Sequence, residues 1–154
     1  MIITFIGHAI VPSYAKVKEM VKQHLRDYVA GDDAITFYLG FYGSFDEICA
    51  CVCRELKKEY DGIEIVYITP YISLSEQNKI KRMMENKLID FSLYPPVEQV
   101  PPRFAILKRN EWMIKNADLI IAYVDHDYGG AYKSFQYAKQ KNKRVINICD
   151  DFKA

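Results

Sequence analysis

The chain has 154 residues, half of them hydrophobic, which suits one domain of ordinary size with a real core. Its 21 basic and 20 acidic residues leave a net charge of +1, which argues against a protein that coats nucleic acid with a basic face and leaves room for a small anion held by a few placed groups. No apolar run reaches the ~18 residues of a membrane span, and the start MIITFIGHAIVPSY lacks the basic head and long apolar stretch of a secretory signal, so a soluble, cytoplasmic protein is expected.

IITFIG (2–7) is a short apolar run closed by glycine, the pattern of a buried strand. From 14 to 29, Val17, Met20, Val21, Leu25, Tyr28 and Val29 fall on one helical stripe, and Gly31 ends it with GDD as the turn. ITFYLG (35–40) reads as a second strand. Ser44 then opens a helix with Glu47 three residues on, as in a capping box, and Ile48, Val52, Leu56 and Tyr60 form its buried stripe. IEIVYITP (63–70) is a third strand stopped by Pro70. The charged run 75–88 reads as an exposed helix. DFSLYPPVEQVPPRF holds Pro95, Pro96, Pro101 and Pro102 and is expected to be loop or extended chain. A helix over 103–117, a strand in DLIIAYVDH, a helix AYKSFQYAKQKNK after Gly129 and Gly130, and a last strand RVINIC complete the chain.

Strands that are apolar almost throughout are buried on both faces, as in parallel sheets, and here they alternate with amphipathic helices. The fold expected is an α/β, Rossmann-like three-layer sandwich of about five parallel strands in a single domain, 1–154. Cys49, Cys51 and Cys53 in CACVC do not converge as a zinc site would require, and with Cys149 they read as small buried hydrophobes. No metal set and no cofactor motif is identified.

In an open parallel sheet, ligands bind beyond the carboxyl ends of the strands. The first strand is followed there by Gly7 and His8, the second by Gly40, Phe41, Tyr42, Gly43 and Ser44, the third by Thr69, Pro70 and Tyr71, and the fourth by Asp125, His126, Asp127, Tyr128, Gly129 and Gly130. Two of these turns join glycines to a helix N-terminus, where free N–H groups and the helix dipole favour an anion. His8 is placed to donate to a phosphate. The DHD tripeptide 125–127 invites a metal, but neighbours alternate in extended chain, so a solvated loop is the better reading. Phe41, Tyr42, Tyr71, Tyr128 and Tyr132 crowd the same edge, where one or two can stack a base.

From Lys108 to Ile148 the order is basic residue, helix, Ala-Asp, apolar strand, Gly-rich turn, helix, strand: KRNEWMIKNADLIIAYVDHDYGGAYKSFQYAKQKNKRVINI. This resembles the SLOG superfamily of Rossmann-like proteins, which includes the Lonely Guy phosphoribohydrolases and the DNA-processing protein DprA. FIGHA, FYLGFYGSFD, VYITPYI, YPPVE, VPPRFAILKRNEWM and YGGAY are similar to a branch of small bacterial proteins common in Firmicutes.

The resemblance implies binding of a nucleotide or nucleotide-derived molecule. Lonely Guy proteins cleave the N-glycosidic bond of a nucleoside monophosphate with an arginine and a glutamate. Arg109 matches the arginine. Gly129 and Gly130 stand where Gly-Thr is expected, and Tyr132 or Lys133 falls at the glutamate, so that carboxylate is missing. GSFDE (43–47) has the same shape after the second strand, and there Asp46 and Glu47 are the candidate catalytic carboxylates, or simply complement the helix N-terminus. The ligand site is expected to comprise Gly7, His8, Gly40, Gly43, Ser44, Arg109, Asn110, Gly129, Gly130 and Tyr132. A sensor or binding module is the first expectation. An N-glycoside hydrolase or phosphoribosyl-transfer enzyme using Asp46 is the second. DNA handling like that of DprA, suggested by Arg109–Asn110, is a weaker third. Homo-oligomers are consistent with the resemblance.

Overall fold

The computed structural model describes residues 1–31, 34–96 and 99–152. Asp32 and Asp33 of the expected GDD turn, and Val97 and Glu98 of the proline-rich stretch, lie outside the described residues. The elements are β1 (Ile2–Gly7), α1 (Tyr14–Gly31), β2 (Ile35–Leu39), α2 (Ser44–Glu59), β3 (Ile63–Ile68), α3 (Leu74–Glu85), β4 (Phe91–Leu93), α4 (Pro102–Asn116), β5 (Leu119–Tyr123), α5 (Gly129–Gln140) and β6 (Val145–Asn147), then a 3₁₀ turn, Ile148–Phe152.

Six strands form one parallel sheet in the order β4-β3-β2-β1-β5-β6, one more than the expected number. The additional strand is β4, which lies just before the prolines. It is three residues long, too short to show a period, and Asp90 fastens it. The Asp90 N–H donates to Ile65 O at 2.8 Å and the Asp90 carboxylate accepts the Ile65 N–H at 2.7 Å. The last strand stops early because the Asn147 side-chain oxygen accepts the N–H of Cys149, a local bond that competes with the ladder.

Helices cover both faces of the sheet. Val17, Val21, Leu25 and Val29 of α1 and Ile48, Val52 and Leu56 of α2 are buried with Ile3, Phe37 and Ile65 on one face. Complete burial of a leucine such as Leu25 or Leu56 contributes about 2 kcal/mol. Cys49 and Cys53 belong to this core, and burial pushes both thiols well above their ordinary range. On the other face, Ile114 of α4 and Ala138 of α5 pack against Ile6, Ile120 and Ala122. Pro102 sits in the first turn of α4, where its missing N–H costs nothing. No helix among the described residues is long and apolar enough to cross a membrane.

The capping box expected at Ser44 and Glu47 does not form. Gly43 is the N-cap, with φ of 90°, and makes no side-chain bond. Asp46 instead reaches back and accepts the Tyr42 N–H at 2.9 Å. A true side-chain cap stands at α3, where Ser73 Oγ accepts the Glu76 N–H at 3.2 Å.

The strand order reverses at β1, which has β2 on one side and β5 on the other. Open α/β sheets form a crevice at this point, outside the carboxyl ends of the two strands. His8 follows β1 there, and Asp125 and His126 follow β5.

Candidate functional site

A cavity of about 540 Å³ occupies this crevice. Gly7 and His8 line it from β1, Asp46 from α2, Arg109 and Asn110 from α4, His126 from the β5–α5 loop, and Gly129, Gly130 and Ser134 from α5. Asn147 fixes the start of the β5–α5 loop by exchanging two hydrogen bonds with Val124, at 3.1 and 2.9 Å.

The glycines at this edge do different work. A Cβ on Gly7 would lie 2.2–2.5 Å from Phe45, so this residue is bare to admit the phenyl ring. A Cβ on Gly40 would meet the Arg109 guanidinium carbon at 2.9 Å, and one on Gly43 the Ala9 Cα at 2.6 Å. Gly129 and Gly130 have nothing within 4 Å of that position. The two helix N-termini differ in the same way. At α2 the Ser44 N–H donates to Ala9 O (2.8 Å) and the Phe45 N–H to His8 O (3.4 Å). At α5 no described partner accepts the N–H of Gly129, Gly130 or Ala131, and the helix has no side-chain cap. Ser134 lies one turn further along. It is buried, and its Oγ is the buried side-chain oxygen or nitrogen without a hydrogen-bond partner among the described residues. The open α5 turn, its free N–H groups and this hydroxyl share the cavity wall.

Arg109 is 2% exposed. Its Nη1 donates to Gly40 O (3.0 Å) and Ile68 O (2.9 Å), tying the ends of β2 and β3, and its Nε donates to Asn110 Oδ1 (2.8 Å). Burial lowers its pKa, while Asp46, Tyr67, Tyr71 and Glu76 act at longer range to raise it. Among the described residues no carboxylate forms an ion pair with it. A buried cation without an ion pair of its own favours an incoming anion. Asp46 exerts the largest charge effect on the guanidinium. Burial pushes its carboxyl up to about 6, against the opposing effects of the Tyr42 N–H and Arg109.

His8 and His126 form an arrangement that the sequence does not announce. Their rings stack with centroids 3.6 Å apart and planes 9° apart. Asp125 Oδ1 lies 2.6 Å from His126 Nδ1 and 3.1 Å from His8 Nε2. His126 is therefore a positioned ring at the cavity, where a solvated loop residue was expected. The three ligand atoms lie within 4.8 Å of one another, a set a transition metal can use. The ring geometry works against it: lone pairs of parallel stacked imidazoles run side by side instead of converging, and His8 Nε2 already faces the Asp125 N–H at 3.1 Å.

Of the residues expected at the site, the cavity brings together Gly7, His8, Asp46, Arg109, Asn110, Gly129 and Gly130. Gly40 stands behind Arg109, Gly43 and Ser44 face the carbonyls after β1, and Glu47 is exposed. Tyr132 bonds Gln136 and lines a neighbouring cavity of similar volume. Tyr42 and Tyr128, both exposed, stand at the main cavity, and Tyr71 lines another one beside Arg109.

A parallel sheet with its crevice at β1/β5, an arginine entering from α4 and a glycine-opened α5 define a Rossmann-like protein of the SLOG type. The chain belongs to the YspA SLOG family, whose model matches residues 8–149. It is 26% identical to the uncharacterized SPbeta prophage-derived protein YoqJ of Bacillus subtilis (strain 168), with 84% of each chain covered. In structure it is similar to DNA processing protein A (DprA) from Streptococcus pneumoniae, with a TM-score of 0.63, 19% identity and 93% of this chain covered. DprA from Helicobacter pylori, which binds single-stranded DNA, aligns with a TM-score of 0.60, 15% identity and 94% coverage. The chain spans 48% and 63% of those two proteins, and the likeness to them is one of fold.

Proposed function

We propose that this protein binds a nucleotide or nucleotide-derived small molecule in the β1/β5 crevice, as a sensor or binding module, with the phosphate on the Gly129–Gly130 turn. The carrying observation is the open N-terminus of α5, whose free N–H groups and unpartnered Ser134 hydroxyl line one cavity with the buried Arg109. A phosphate there would accept from the helix N–H groups and the hydroxyl and lie in the field of the guanidinium. Membership of the SLOG family supports the ligand class. Tyr42 and Tyr128 are placed to flank a base. The test is a thermal-shift series with 5′-AMP, adenosine and ribose 5-phosphate, since a ligand of the native state raises the melting temperature. Shifts with the two phosphorylated compounds and none with adenosine are expected. Equal shifts with AMP and adenosine would refute a phosphate site at α5.

One observation favours a second reading, N-glycoside hydrolysis of a nucleoside monophosphate. The Asp46 carboxyl faces the cavity with its pKa pushed up to about 6, within reach of acid–base work near neutral pH. Release of free adenine from AMP by the wild type and its loss in Asp46→Asn would establish this reading. Equal release by both would remove Asp46 from the chemistry. DNA handling is the weakest of the three, because the net charge of +1 provides no broad basic surface.

A further inference from the structure

The two histidines are coupled through a single carboxylate. Asp125 Oδ1 serves both rings, at 2.6 Å from His126 Nδ1 and 3.1 Å from His8 Nε2. The same His8 nitrogen lies 3.1 Å from the Asp125 backbone N–H. His8 Nε2 therefore has a donor and an acceptor at equal distance. Without a proton it takes the backbone N–H; with one it gives its hydrogen to the carboxylate. One aspartate balances one imidazolium. A second proton would place two cations in rings 3.6 Å apart, beside the positive end of α5, unless another anion arrives. Tyr128 lies against His126 with ring centroids 4.0 Å apart.

We propose that the His8–His126–Asp125 cluster belongs to the ligand site and takes up a proton as a phosphate monoester settles on the neighbouring α5 turn, which makes His126 a specificity-determining residue for a dianionic head group. This rests on the nucleotide reading given above and adds residues and a proton to it. Asp125 holds the first charge, and the phosphate dianion stabilises the second. Burial and the His126 charge lower the His8 pKa, with Asp125 offsetting part of this, so His8 awaits the ligand unprotonated at neutral pH.

The other groups around the pair have defined roles. Tyr123 of β5 meets His8 edge-on. Lys139 and Tyr132 of α5, Asp127 and Asp150 line the neighbouring cavity beside His126. Asp46 and Arg109 face the pair across the main cavity, and α2 offers His8 only the Phe45 N–H, on the His8 carbonyl. Lys139 opposes a second proton, and the carboxylates of Asp127 and Asp150 favour it. Asp46 is the competing group that titrates near neutrality, and it must be separated by experiment.

The test is calorimetric titration of 5′-AMP into the wild type, His126→Gln, His8→Gln and Asp46→Asn from pH 6 to 8, with two buffers of different ionisation heat at pH 7. Free AMP contributes equally to every titration, so differences between proteins arise in the free proteins and their complexes. The wild type is expected to take up close to one proton more than His126→Gln. Its affinity gains up to about tenfold per pH unit on acidification over that variant. His8→Gln loses the same excess, and Asp46→Asn keeps it. Equal proton uptake in the wild type and His126→Gln, with binding retained, would overturn the proton clamp and leave the nucleotide site standing. Loss of the excess only in Asp46→Asn would assign the proton to that carboxyl and likewise overturn it. No AMP binding at any pH, in proteins whose melting curves show them folded, would overturn both.

Discussion

Replacing Asp46 by asparagine removes a charge from the cavity and keeps an oxygen for the Tyr42 N–H. Burial lifts this carboxyl from its ordinary 3.8 to about 6 despite the bond from Tyr42 and the charge of Arg109. At about 1.4 kcal/mol per pH unit, the full shift corresponds to about 3 kcal/mol of charge burial. The side chain keeps partial contact with the open cavity, and solvent screening reduces this to about 1–2 kcal/mol. A raised pKa means that the carboxylate is costlier in the folded chain than in the unfolded one. That cost is absent below about pH 4, grows as pH rises through 6 and is complete above it. Asp46→Asn should therefore be more stable than the wild type by about 1–2 kcal/mol at pH 7.5, or about 2–8 °C in melting temperature for a chain of this size. The gain should shrink towards zero near pH 4. Urea unfolding of both proteins at pH 4, 6 and 7.5 measures it. No gain at pH 7.5, or a gain independent of pH, would refute the desolvated carboxyl and, with it, the idea that this site carries a charge at the expense of stability.

Ser134→Ala should be neutral or stabilising by up to about 1 kcal/mol in denaturant melts, because the hydroxyl has no partner to lose, while weakening AMP binding. Gly43→Ala should lose about 2–3 kcal/mol by the same measurement, since φ is 90° and the new methyl would meet the Ala9 Cα at 2.6 Å. Arg109→Lys should destabilise the unliganded protein by about 1–3 kcal/mol, because a single ammonium cannot serve Gly40 O and Ile68 O and also replace the Nε donor to Asn110 Oδ1. Unchanged stability in that variant would mean that the arginine serves the ligand alone.

The central sheet was legible because its strands are apolar on both faces, as β5 shows with all five residues buried. β4 was not, because three residues carry no period and the bonds that fix it come from Asp90, outside the strand. The crevice could be placed from the glycines and polar residues at the carboxyl end of each strand, and Arg109 came from the resemblance. The role of His126 could not be read from DHD, since its partners depend on a contact with His8, 118 positions earlier, and on a loop that is not extended. Nor does sequence distinguish a glycine occupied by a neighbour from an open one. Gly43 and Gly130 look alike until Ala9 is seen against the first and nothing against the second. Ser134 gave no signal, because an orphan hydroxyl is a property of packing.

The unequal glycines also set where this chain tolerates change. Changes at Gly7, Gly40 or Gly43 disturb Phe45, Arg109 or Ala9, so drift there is checked by folding itself. At Gly130 a side chain has room, so residues can be exchanged there at little cost to the scaffold. The same architecture can therefore vary through one short segment while the rest of this sheet edge stays fixed.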